Sequence, residues 1–199
     1  MNRRYLGLGA CAIVILAAAV LWTLKPWENH SPAEGSIAGG PIELPSTEGD
    51  FSLASLADDQ VAVVFFGYTW CPDVCPMSLS VMRQTLDSLP QEQQKRVVPV
   101  LISLDPERDS IERLREYLGF FGDGFIGATG SRTQLEDIAE RYDVVWRKVE
   151  AGDSEGEYTI DHTAYLYLVD SQGGVLQRVL HSPTPAPLQA ALTDVLAGD

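Results

Sequence analysis

The sequence predicts an α/β domain with a central mixed sheet flanked by helices, preceded by an N-terminal transmembrane helix. Three patterns carry that expectation. Two continuous apolar runs, residues 61–66 and 97–104, have the composition of strands buried on both faces, and each is followed by apolar residues at helical spacing. Toward the C-terminus, the apolar runs 164–169 and 175–180 flank Asp170-Ser171-Gln172-Gly173-Gly174 and read as an antiparallel hairpin. At the other end, residues 5–24 carry no charge.

Taken in order, Arg3 and Arg4 precede the uncharged run, and Lys25 and Glu28 follow it. Its length, at ~1.5 Å per residue, reaches about 30 Å, one hydrocarbon thickness. That is long for a secretory h-region of ~7–15 residues, although Ala17-Ala18-Ala19 offers a small-residue cleavage site. Trp22 and Trp27 fit the aromatic belt at the outer end of a retained helix. The arginine pair before the run and the acidic bulk after it orient the N-terminus inward and the domain outward. Residues 1–28 are therefore expected to be a single-pass membrane anchor. Residues 29–40, rich in Gly, Ser and Pro, read as a flexible tether, and residues 41–199 as the folded domain.

Within the domain, Asp58-Asp59 and Gly67 bound the first buried strand. Leu79, Met82, Leu86 and Leu89 then follow at helical spacing and stop at Pro90. Pro99 cannot donate to a ladder, which places the beginning of the 97–104 strand near a sheet edge. Asp109 with Glu112, and Ser131 with Gln134, are cap-like pairs. They open helices carrying Ile111, Leu114 and Leu118, and Leu135, Ile138 and Tyr142. A last amphipathic helix carries Leu188, Ala191, Leu192 and Val195. Strand, helix and strand, followed by hairpin and helix, is the order of a thioredoxin-like fold.

Composition bounds the function. A chain of 199 residues has room for one domain and an appendage, and 45% apolar with 21% charged residues excludes a disordered or collagen-like polymer. Asp and Glu total 28 against 14 Lys and Arg, so there is no basic face to displace counterions from phosphates, and no nucleic-acid partner is expected. Three cysteines are too few for a disulfide scaffold but enough for one redox or metal site.

The chemistry concentrates in Phe65-Phe66-Gly67-Tyr68-Thr69-Trp70-Cys71-Pro72-Asp73-Val74-Cys75-Pro76, where a buried strand gives way to a helix. Pro76 suits a first helical turn, where its missing N–H costs nothing. A helix N-terminus favours a thiolate over a thiol. Two cysteines at this spacing on a turn can close a structural disulfide or hold one metal. Zinc usually takes four N or S ligands, whereas two thiolates and one imidazole suit Cu(I), which tolerates low coordination. The candidate third ligand is His162, ahead of the 164–169 strand, with Asp161 placed to orient its ring. His30, in the tether, and His181, beyond a strand end, read as solvated.

Three segments together make the sequence similar to the SCO/SenC family of membrane-tethered, copper-binding thioredoxin-like proteins, from about Gly39 to the C-terminus. They are Phe66-Gly67-Tyr68-Thr69 with Cys71-Pro72-Asp73-Val74-Cys75-Pro76, Ser103-Leu104-Asp105-Pro106-Glu107-Arg108-Asp109, and Asp161-His162-Thr163-Ala164. The resemblance implies copper, as Cu(I) or Cu(II), bound by Cys71, Cys75 and His162. It further implies delivery of that copper to the dinuclear copper site of cytochrome c oxidase subunit II or a related respiratory oxidase, other periplasmic copper chaperones being further partners. The setting it implies is a bacterial inner membrane with the domain in the periplasm. The rival expectation is a thiol–disulfide oxidoreductase that keeps client cysteines reduced, with Cys71 and Cys75 as its redox pair, because the same two sulfurs serve both tasks. A peroxidase on the same fold lacks the Thr and Pro that would precede a lone peroxidatic cysteine.

Other candidates are weaker. Asp73 is either a transient ligand or a turn former. Asp105-Pro106 is expected to shape the loop at the end of its strand. Glu150, Asp153, Glu155, Glu157 and Asp161 form an acidic stretch, read as a solvated hairpin loop or a docking surface for a basic partner. No function is placed on Trp70.

Overall fold

The structure is a computed structural model that describes residues 39–150 and 158–197. The expected anchor, nearly all of the tether with His30, and acidic Asp153, Glu155 and Glu157 lie outside the described residues. Among the described residues no helix is long and apolar enough to cross a membrane.

The chain runs through β1 (Glu43–Ser46), β2 (Gly49–Ser52), β3 (Val61–Gly67), α1 (Val74–Ser88), a short α2 (Gln91–Gln94) and β4 (Val97–Ser103). It continues through α3 (Ile111–Gly119), β5 (Ile126–Ala128), α4 (Arg132–Arg141), β6 (Trp146–Glu150) and β7 (Tyr158–His162). It closes with β8 (Tyr165–Val169), β9 (Val175–Leu180) and α5 (Ala186–Ala197). Seven strands form one mixed sheet in the order β2-β1-β5-β4-β3-β8-β9, while β6 and β7 pair only with each other. This is the thioredoxin-like arrangement that the element order predicts.

Strand β3 is buried along its whole length and alternates between two cores. Val61, Val63 and Phe65 pack with Leu79 and Met82 of α1, Leu114 of α3 and Leu192 of α5. Ala62, Val64 and Phe66 face Leu135 and Ile138 of α4, together with Ile42 and Leu44. Burial on both faces explains why this strand is a continuous apolar run rather than an alternating one. Strand β4 lies parallel to β3, from Val61↔Val97 to Gly67↔Ser103. On its other side β5 pairs only with Val100 to Ile102, so Pro99 has a neighbour on one side, as an edge-like proline requires.

Local chemistry fixes the ends. Ser131 and Gln134 form a full capping box at α4. At α3 the cap is Ser110, whose hydroxyl accepts from the Arg113 N–H, and not the expected Asp109. Asp109 is fully buried and bonds elsewhere, because its carboxylate has better partners at the sheet end. In the β8–β9 turn, Asp170 Oδ1 accepts from the amides of Gln172 and Gly174, and Gly173 takes a positive φ of 85°. Residues 41–60, for which no element was expected, supply β1, β2 and a single 3-10 turn at Leu53–Ser55.

Candidate metal centre

Parallel strands β3 and β4 end on the same side of the sheet, and antiparallel β8 begins beside the end of β3. The chain leaves β3 through Tyr68 and Thr69, turns with the Cys71 N–H on the Tyr68 carbonyl at 3.4 Å, and enters α1 at Val74. Cys75 is therefore in the first turn of α1 and fully buried, with Cys71 half-buried just ahead of it. Gly67 makes this placement possible: a Cβ there would lie 2.8 Å from Cys75 Sγ, well inside van der Waals contact.

The two cysteines are free thiols in unlike environments. The N–H of Cys75 donates to Cys71 Sγ at 3.4 Å, so the outer sulfur caps the helix N-terminus. A hydrogen bond from the Cys75 thiol, helped by His162 and then by the amides of Asp73 and Cys75, holds the Cys71 thiol well below its ordinary range against the opposing effect of burial. Cys75 moves the opposite way, first because it donates to Cys71 and then because burial disfavours its charge. The two thiols are thus pushed in opposite directions, the outer one toward the thiolate and the buried one away from it. Asp73 stands at the N-cap position of α1 without a side-chain cap bond, and its carbonyl accepts from the Met77 N–H at 3.2 Å.

His162 is the last residue of β7, opposite Trp146 of β6, and Nε2 lies 3.7 Å from Cys75 Sγ. Nδ1 is 3.1 Å from the Thr163 carbonyl, which can only accept. A neutral ring therefore carries its proton on Nδ1 and turns the Nε2 lone pair toward the sulfur. The expected orienting role of Asp161 does not hold. Alternation along the strand turns Asp161 to the opposite face, where its carboxylate pairs with Arg147 at 3.1 Å in solvent. Phe65 and Tyr68 instead hold the imidazole edge-on, at centroid distances of 5.9 and 6.1 Å.

His181 also departs from expectation. It is half-buried, and its Nδ1 lies 2.8 Å from the hydroxyl of buried Ser78, tying the end of β9 to α1. The acidic stretch does not begin as a loop: Glu150 and Asp161 belong to β6 and β7.

Sequence reasoning gave Asp105 a loop-shaping role, which its bonds bear out, and Asp109 a cap, but missed the polar framework the two build around the site. Asp109 accepts from the Thr69 N–H at 2.9 Å, the Thr69 hydroxyl at 2.7 Å and the Ser103 hydroxyl at 2.6 Å, pinning the cysteine turn to the end of β4. Asp105, fully buried, accepts from Arg108 and from the Tyr158 hydroxyl at 2.6 Å. The Tyr68 hydroxyl accepts from the Ile160 N–H at 3.2 Å. Trp70 is exposed beside Cys71, with Arg108 and Arg113 each 5.7 Å from its ring centroid. The available signal was position: Asp105 to Asp109 follow the C-terminal end of a parallel strand, where such folds gather their sites.

Among the described residues no group of three or more His, Cys, Asp and Glu side chains stands ready-made as a metal cluster. The site instead offers a sulfur pair with one imidazole nitrogen nearby. A metal with bonds of about 2.3 Å to sulfur and about 2.0 Å to nitrogen, at a trigonal angle, sets those two atoms about 3.7 Å apart. The Cys75–His162 spacing of 3.7 Å fits that geometry.

Comparison with known proteins agrees with the fold and narrows its kind. The SCO1/SenC family profile matches residues 30–197. A protein named SCO2-like from Rickettsia conorii is 32% identical over 154 residues, covering 77% of this chain and 75% of the relative. The structure of Bradyrhizobium japonicum ScoI with copper bound superposes with a TM-score of 0.68 at 34% identity, covering 79% of this chain and 96% of that one. Arabidopsis thaliana ScoI with copper bound gives 0.71 at 28% identity, covering 81% and 99%.

Proposed function

Because the chain belongs to the SCO1/SenC family, we propose that it is a copper metallochaperone, with Cys71, Cys75 and His162 as the ligands of its cargo. The observation that carries this reading is Nε2 of His162, lone pair inward, 3.7 Å from Cys75 Sγ, the spacing of two donors that share one metal, with Cys71 Sγ on the same helix end. Two soft sulfurs suit Cu(I), and the imidazole adds the borderline donor that Cu(II) prefers. Copper is bound in the solved structures of the Bradyrhizobium and Arabidopsis relatives, which supports copper as the metal here.

The proposed client is the dinuclear copper site of cytochrome c oxidase subunit II or a related respiratory oxidase. The proposed setting is a bacterial inner membrane, with residues 1–28 as the anchor and the domain in the periplasm. Intact-mass analysis of the membrane fraction tests the anchor, which an N-terminus near Val20 would remove.

A second reading, reduction of client cysteines, is favoured by the unequal thiols. A thiolate at half-buried Cys71 with a protonated, buried partner is the arrangement of an attacking sulfur and a resolving one. His162→Ala separates the two. It removes one donor from copper but leaves both sulfurs for exchange. Metallochaperone activity requires this variant to lose most Cu(II) affinity and to fail to restore oxidase activity in cells short of copper. Full restoration by His162→Ala, with failure of Cys71→Ser, favours the reductase.

A further inference from the structure

We propose that Asp105, Arg108 and Tyr158 form a latch that positions His162, so that the latch decides whether the site presents two sulfurs alone or two sulfurs with a nitrogen. The proposal rests on the copper reading of the site and adds to it the device that holds the third donor in place.

The cysteine turn continues the central strand of the main sheet. The His162 strand does not: β7 pairs only with β6, and neither pairs with the seven-stranded sheet. Backbone pairing with that sheet reaches it only from behind, where β8 starts three residues on and the Ala164 carbonyl accepts from the His181 N–H at 2.9 Å, so side-chain contacts must set the lie of the rest of β7. Along β7, Tyr158, Ile160 and His162 share one face by strand alternation, so what grips the first two also aims the third.

The loop after β4 supplies most of that grip. The Tyr158 hydroxyl donates to Asp105 Oδ1 at 2.6 Å, and Arg108 Nη1 donates to the Tyr158 carbonyl at 3.0 Å. The guanidinium carbon of Arg108 sits 3.6 Å from the centroid of the Tyr158 ring while its Nε donates to Asp105. Arg108 thus touches the strand at backbone and ring together and is itself anchored to a carboxylate with no solvent exposure. Ile160, next on that face, is held through its N–H by the Tyr68 hydroxyl. Asp109 of the same loop grips Thr69, two residues before Cys71. One loop therefore brackets both halves of the site and fixes their separation. Arg108 and Tyr158 touch neither sulfur nor imidazole in any hydrogen bond, which makes them positioning residues.

The test uses the full-length chain with Arg108→Ala, Tyr158→Phe, His162→Ala and, as a control on the outward face of the hairpin, Arg147→Ala. Cu(II) titration followed by electron paramagnetic resonance reads the imidazole through its nitrogen coupling. Hydrogen exchange reads the hairpin without copper. Arg108→Ala is expected to weaken Cu(II) binding about tenfold or more, as loss of an outer supporting contact commonly does, and to remove the nitrogen coupling. Cu(I) binding, carried mainly by the two sulfurs, falls less, and thiol–disulfide exchange stays at the parent level. The amides of Ile160 and Thr163 lose protection, while those of Val64 and Leu101 keep it. Tyr158→Phe moves the same readouts less, and Arg147→Ala leaves them unchanged.

Retained nitrogen coupling and protected hairpin amides in Arg108→Ala would overturn the latch. Equal loss of protection in β3 and β7 would overturn it as well, since the residue would then be a general stabiliser. If His162→Ala leaves parental Cu(II) binding unaltered, the copper reading falls by itself, and the hairpin amides still decide the latch.

Discussion

The sulfur half of the site and the nitrogen half are built by different means. Cys71 and Cys75 hang from the end of β3, whose side chains fill both cores and whose ladders run to β4 and β8. A fully buried Phe or Leu contributes about 1.5–3 kcal/mol, and this strand has Phe65 and Phe66 side by side with no exposure. His162 hangs from an isolated two-stranded ribbon on which Ile160 is the one fully buried side chain among the described residues. Isolated ribbons are marginal, so side-chain contacts decide where this one lies. Backbone ladders fix the thiols, whereas the imidazole is held by β8 behind it, by the Phe65 and Tyr68 rings and by a few polar contacts along β7. A site made this way can keep its sulfurs still while its nitrogen is adjusted.

The largest effect that would break this contrast comes from the sulfurs. Cys75→Ser replaces a sulfur that would bind copper as a thiolate by a hard, weak hydroxyl donor, and tight copper binding should fall by orders of magnitude in a competitive titration. Unchanged stoichiometry and affinity would place the metal elsewhere.

Next in size is Asp109→Ala. It orphans the Thr69 and Ser103 groups that the buried carboxylate accepts from, and urea unfolding should show a loss of about 3 kcal/mol. Hydrogen exchange should find Thr69 and its neighbours loosened first, with Ile160 less affected. Equal loosening at both would erase the distinction between the halves.

Gly67→Ala sharpens the comparison by pressing on one sulfur. Its methyl would lie 2.8 Å from Cys75 Sγ and 3.0 Å from the Phe65 ring, both held in the core. Overpacking of this kind costs about 1–3 kcal/mol. Thermal unfolding should register that loss, and the Cys71–Cys75 reduction potential should shift with the displaced sulfur. A parental melting curve would mean that the strand end yields freely.

The smallest effect is a matter of pH. The Cys71 thiol is held below its ordinary value, so its thiolate persists as pH falls beneath the unperturbed thiol pKa of about 8.5. Alkylation by iodoacetamide at neutral pH should therefore strike Cys71 and spare Cys75, which burial and its bond to Cys71 keep protonated. Preferential labelling of Cys75, read by peptide mapping, would reverse the assignment of the two sulfurs.

The same contrast governs what could be read from sequence. Strands β3, β4, β8 and β9 were legible because burial on both faces, or a turn of Asp and Gly, leaves a mark in the apolar pattern. The cysteine turn was legible for the same reason, since it interrupts such a run. Strands β6 and β7 were not, because Arg147, Lys148, Thr159 and Asp161 leave a polar ribbon that resembles a loop. From its place before Ile111, Asp109 reads as a helix cap. Its true partners, Thr69 and Ser103, come together only through the pairing of β3 with β4, and no local spacing encodes that contact.

The distances along the chain give the site an order in time. The sulfurs are four residues apart, whereas the imidazole is 87 residues from Cys75. A chain still unfolded after synthesis carries the sulfur pair intact but has no third donor near it. Cargo that uses the nitrogen can be held at full strength only once the sheet has closed. By mass action it then stabilises the folded chain over the unfolded one, by an amount that grows with the concentration of metal. Folding of the chain and binding of a metal that uses all three donors would on that account be a single coupled equilibrium, with scarcity of the metal appearing as a less stable chain.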